Sequence, residues 1–283
     1  MDSLTAAILL FISFFTLCGI LHAIGLKNNF FQISSEEKHN FFSGKTVLVI
    51  IFIFLLLSKL LPVLIFTLAI EKLPLLNNIL SPQMLKMASY SLSSFLTIQT
   101  VYMAGKSQNK SAMKELLGFN KTNNLYAASQ GFYTFVLAAS SVMITAIFLQ
   151  LITFWIFGKS GNEQSIITYL RDHKDIFGIK ILGFLNIVFL APILEEIVFR
   201  GFIQRYLTSI LPIKKAILST SFLFSLAHYS IDQNVGNIAL CGSIFVLSIY
   251  LGFIYEKTRS LISPIVVHIL FNLDGITRIF LSG

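Results

Sequence analysis

The chain has 283 residues, 55% of them hydrophobic and only 12% charged, with 28 Phe and a mean hydropathy of +0.79. Soluble domains carry about 25% charged residues, so this composition excludes a soluble globular class and points to a polytopic integral membrane protein. The net charge of +8 would suit nucleic acid in a soluble domain, but here Lys and Arg gather between apolar runs, as in cytoplasmic loops, so a membrane and no nucleic acid is the expected partner.

Runs long enough to span a hydrocarbon core, about 20 helical residues, recur eight times along the chain. The first is Leu4 to Leu26, which lacks a basic leading segment and a cleavage site and so reads as a retained helix rather than a signal peptide. The second, Thr46 to Ile70, contains Lys59, which snorkels or faces the bundle, and Pro62, which is expected to kink it. The third, Met84 to Ala104, is rich in Ser and Thr and suits a helix packed against protein rather than lipid. The fourth is Ala127 to Phe157. The fifth starts near Ile176 and ends near Ser209, the sixth is Lys214 to Ile231, the seventh Asn237 to Tyr255 and the eighth Leu261 to Leu281.

Basic residues concentrate in the odd-numbered loops of this scheme, which puts both termini away from the cytoplasm. Cys18 and Cys241 lie within apolar runs and are too few for a disulfide framework or a Cys-based metal site. The fold class is therefore all-α, a polytopic bundle of about eight transmembrane helices.

The fifth span carries Glu195, Glu196 and Arg200 beyond the apolar run Ile187 to Leu194. A charge at the bilayer centre costs roughly 2.5–3.5 kcal/mol on insertion scales, so a cluster there marks a functional site by default. Residues four apart share a helical face, which pairs Glu196 with Arg200 and rotates Glu195 about 100° away, leaving it available. These residues alone leave a second reading open, a structural network in which both carboxylates share the guanidinium. Pro192, one turn earlier, opens the backbone ladder and admits water, which favours chemistry.

Two histidines lie in other apolar runs: His228 one turn after Phe224, and His268 one turn before Asn272. Each polar centre carries a desolvation cost with few local partners, so the three groups are expected to meet around one cavity. Counted along their helices at 1.5 Å per residue, Glu195 and His228 both lie about 21 Å from the cytoplasmic end, whereas His268 lies only about 10 Å deep. A tilted or broken helix is needed to bring His268 level.

In this order, the motifs EExxxR at Glu195, Glu196 and Arg200 with Gly201, FxxxH at Phe224 and His228, and HxxxN at His268 and Asn272 resemble the CAAX-protease and bacteriocin-processing family of intramembrane endopeptidases, related to the Ras-converting endopeptidase. Gly252, Tyr255, Thr258, Ser260, Leu261 and Pro264 are similar to that family's lead-in to its last motif. The resemblance runs from about Leu190 to Asn272. It divides the chain into a variable amino-terminal part, 1–175, and a catalytic core, 176–283, formed by the last four helices within one membrane domain.

The resemblance implies hydrolysis of a peptide bond by a water that Glu195 and His228 activate, with Glu196, Arg200 and Phe224 in support. His268 and Asn272 would donate to the oxyanion. No covalent acyl-enzyme is implied, and Ser225 reads as a packing residue. No cofactor is expected; the alternative chemistry is a zinc metalloendopeptidase with Glu195, His228 and His268 as ligands, although the chain has no HExxH signature. A second class of function is also open, a non-catalytic member acting in bacteriocin immunity or as a membrane regulator. The substrate would be a peptide or protein, prenylated or a peptide precursor. The usage of Lys, Asn, Ile and Phe suits an AT-rich microbial genome, and the expected location is a microbial cell membrane.

Overall fold

The computed structural model describes residues 3–33, 42–72, 79–116, 123–158, 165–173 and 175–281, and among them all regular structure is helical. In chain order the helices are α1 (Ser3–Lys27), α2 (Gly44–Lys72), α3 (Pro82–Gln108), α4 (Lys110–Leu116), α5 (Asn124–Phe157), α6 (Ser165–Asp172), α7 (Phe177–Ile210), α8 (Ile213–Ala227), α9 (Gly236–Thr258) and α10 (Ile262–Leu281). Helices alone satisfy every backbone group within the segment, which is what a chain this apolar requires in lipid.

Five of them, α2, α5, α7, α9 and the stretch Ile8–Lys27 of α1, are long and apolar enough to cross a membrane. The expected third, sixth and eighth spans correspond to α3, α8 and α10. Polar residues dilute α3, and the 15 residues of α8 reach only about 22 Å.

The polar face of α3 is turned inward, as its composition implies. Ser89, Ser93 and Thr97 are buried, Ser93 Oγ donates to Leu57 O of α2 at 2.9 Å, and Ser91 Oγ donates to Leu182 O of α7 at 3.3 Å. Helix α2 runs through Pro62 without interruption, and Lys59 is exposed on its outer face, where its long stem can carry the ammonium toward the interface.

Helix α5 is the hub of the other half, packing on α1, α9 and α10. Its contact with α10 is close enough that a Cβ on Gly131 would lie 2.6 Å from Ser263 O. Ser263 Oγ meanwhile donates to Ala127 O at 2.8 Å. Helix α1 is tied to this hub by polar groups: Ser141 Oγ and Tyr250 OH are 2.8 Å apart, and His22 bridges Tyr250 and Cys18 O.

Helix α7 departs from regular geometry. A π-helical segment, Leu185–Leu190, precedes the α-helical turn Ala191–Glu196, and a second, Ile197–Gln204, follows it. Such wide turns concentrate at functional sites, and here they flank the glutamate pair. The core around α7 contains Leu194, Phe199, Phe202, Phe224, Tyr255 and Leu261.

Candidate active site

The glutamate pair sits where α7 returns from its α-helical turn to the second π segment. Glu196 and Arg200 are both fully buried, with Glu196 Oε2 3.0 Å from Arg200 Nε. The i,i+4 spacing makes this pair, but the tertiary structure completes it. Arg200 Nη2 donates to Ser248 Oγ on α9 at 3.0 Å, and the guanidinium lies 4.9 Å from the centroid of the Phe224 ring. A buried cation with several partners of this kind is held in one position.

Glu195 points to a different environment, 20% exposed, with its Oε2 3.7 Å from His228 Nε2 and 3.8 Å from His268 Nε2. Both separations exceed a direct hydrogen bond. They bracket the carboxylate between two imidazoles.

The partner on the far side of each ring sets its proton. His228 Nδ1 is 2.8 Å from Phe224 O, and a carbonyl only accepts, so Nδ1 carries hydrogen and the neutral ring offers a lone pair at Nε2. His268 Nδ1 is 2.9 Å from Glu196 Oε1, so the carboxylate paired with Arg200 also orients the second imidazole. Phe224 packs against both rings, with centroids 4.8 Å from His228 and 5.8 Å from His268. It forms an apolar wall between the arginine and the histidines.

His228 is not inside a helix, contrary to the expectation of a span running to Ile231. It is the C-cap of α8, which ends at Ala227. The cause is local competition for backbone groups: Asn237 Oδ1 accepts from Ser230 N at 3.0 Å and its Nδ2 donates to Ser230 O at 2.7 Å, withdrawing both from any further helical turn. The imidazole is therefore left at a helix end, 27% exposed.

His268 reaches the glutamates without a break in α10. The corner between α9 and α10 is itself buried, with Thr258, Ser260, Leu261 and Ser263 all at 3% exposure or less. The helix thus begins under a cover of neighbouring side chains.

Asn272 lies one turn beyond His268, and its Nδ2 donates to Ile187 O in the first π segment at 2.7 Å. The structure therefore gathers Glu195, Glu196, Arg200, Phe224, His228 and His268 directly, and joins Asn272 to the same helix through a carbonyl. Three partners were not singled out from sequence: Ser248, Gln204 and Glu256. Gln204 Nε2 donates to Gly252 O at 3.0 Å and to Glu256 Oε1 at 2.9 Å, and Glu256 pairs with Arg259 at 2.9 Å. The signal was present as two i,i+4 series, Glu196–Arg200–Gln204 on α7 and Ser248–Gly252–Glu256 on α9.

Among the described residues no group of three or more His, Cys, Asp and Glu side chains is arranged to hold a metal ion. The set combines a partly exposed carboxylate, an imidazole with a free lone pair and a second imidazole backed by a carboxylate, the group types that general acid–base chemistry on a water requires. Residues 177–273 match the family model described as Type II CAAX prenyl endopeptidase Rce1-like. No curated protein and no solved structure matches the chain.

Proposed function

We propose that this chain, whose residues 177–273 match the Rce1-like family model of type II CAAX prenyl endopeptidases, is an intramembrane endopeptidase that uses Glu195 and His228 to activate water. The observation that carries this reading is the carboxylate bracketed by two imidazoles, 3.7 and 3.8 Å away, whose outer nitrogens are both committed. A water beside Glu195 Oε2 and His228 Nε2 loses a proton to one of them as its oxygen bonds to the scissile carbonyl carbon. As the carbon–nitrogen bond breaks, that proton passes to the departing amine.

The negative charge that develops on the carbonyl oxygen needs donors. Asn272 offers its second amide hydrogen, and His268, oriented by the Glu196 carboxylate, offers Nε2 when that nitrogen carries a proton. Arg200 pairs with Glu196, and Ser248 and Phe224 keep Arg200 in place.

The substrate class that fits the family description is a peptide with a prenylated CAAX terminus, presented from the bilayer to the accessible edge of Glu195. Incubating the purified protein with farnesylated and unprenylated CAAX peptides, and with each replaced by a scrambled terminus, tests the reading. Release of the terminal tripeptide by wild type and none by Glu195→Gln is the expected result; equal release by both contradicts it.

A further inference from the structure

The hydrogen bond from Asn272 to Ile187 O has a cause in the sequence. In the first π segment the N–H of Ala191 bonds to Asn186 O, five residues back. One step further, that register assigns Ile187 O to the N–H of residue 192. Residue 192 is proline, which has none. A carbonyl within a membrane helix must find another donor, and the amide of Asn272 on α10 supplies it at 2.7 Å.

An amide nitrogen carries two hydrogens fixed in one plane. Once one is anchored on Ile187 O, the direction of the other is set. The Asn272 side chain makes no other hydrogen bond among the described residues, and it shares a helical face with His268, one turn away.

We propose that Pro192 is a positioning residue: by leaving Ile187 O without a backbone donor, it anchors the Asn272 amide so that its second N–H faces the oxyanion. This deepens the endopeptidase reading and rests on it. Pro192 touches no substrate in this account and acts only through the carbonyl it leaves open.

The test is Pro192→Ala, which restores an N–H that competes for Ile187 O. Replacing proline within a helix by alanine adds a backbone hydrogen bond, so the melting temperature in detergent should hold or rise. The kcat should nevertheless fall about 10-fold or more with KM within about 2-fold, the pattern of an interaction made in the transition state. Asn272→Ala should cost a further large factor in wild type but little in the Pro192→Ala background.

A second measurement does not depend on turnover. Asn272→Ala and Asn272→Asp should each lower the melting temperature of wild type by about 2–4 °C, and by clearly less when Pro192 is already Ala. Wild-type kcat in Pro192→Ala, or strictly additive thermal losses, overturns the proposal. If wild type cleaves no peptide while the thermal coupling is present, the anchor stands and it is the endopeptidase reading that fails.

Discussion

His268 Nδ1 donates to Glu196 Oε1 at 2.9 Å, and the other oxygen of the same carboxylate lies 3.0 Å from Arg200 Nε. One buried carboxylate thus joins α7 to α10 and sets the orientation of an imidazole whose free nitrogen faces Glu195. The two adjacent glutamates occupy different faces: Glu196 is fully buried against Arg200 and His268, and Glu195, 20% exposed, faces the two imidazoles.

Removing one member of the buried pair should be severe, because the other is left charged and uncompensated. Arg200→Met alone is expected to lower stability by about 3–5 kcal/mol, measured by denaturant or thermal unfolding in detergent. The double variant Glu196→Gln, Arg200→Met should recover part of that loss, since no isolated charge remains.

Ser248 supplies a single hydrogen bond to Arg200, at 3.0 Å. Ser248→Ala should therefore cost less, about 1–3 kcal/mol. Cleavage should fall by no more than a few-fold, because Glu196 and the Phe224 ring still hold the guanidinium.

The helix contact behind His268 makes a prediction of its own. A Cβ on Gly131 would lie 2.6 Å from the backbone oxygen of Ser263, which cannot swing away as a side chain can, whereas a Cβ on Gly19 meets nothing within 4 Å. Gly131→Ala should destabilise by about 1–3 kcal/mol and Gly19→Ala by less than about 0.5 kcal/mol. Thermal unfolding of the two variants side by side checks the difference.

Metal dependence is testable by chelation. Glu195 Oε2 lies 3.7 and 3.8 Å from the Nε2 atoms of His228 and His268, and activation of water by Glu195 and His228 needs no metal ion. Cleavage should survive exhaustive treatment with a strong chelator, and elemental analysis of the active protein should find no stoichiometric zinc.

The apolar runs were legible in the sequence because lipid demands them, and the Glu196–Arg200 pair was legible because both residues lie on one helix at i,i+4 spacing. What lay beyond reach was tertiary. Nothing near Glu196 in the chain announces that His268, 72 positions later, donates to it, nor that Asn237 captures Ser230 and ends α8 at the histidine. Nor does the sequence show that the α9–α10 corner, Ser260 and Leu261 included, is buried within the protein. The π segments of α7 left no mark in a pattern read at 3.6 residues per turn, although Pro192 was visible as the residue that would disturb the ladder. The stripe Ser248, Gly252, Glu256 could have been found by asking what faces Arg200 and Gln204 on a neighbouring helix.

The central claim concerns Glu195, and its most direct test is the rate of peptide cleavage by purified Glu195→Gln against wild type, with melting temperatures recorded for both. The amide keeps the size of the carboxylate and cannot accept the proton of the attacking water. A fall of about 10²–10⁴-fold in a protein that melts where wild type does is the predicted result. Cleavage at the wild-type rate by that variant would contradict the account.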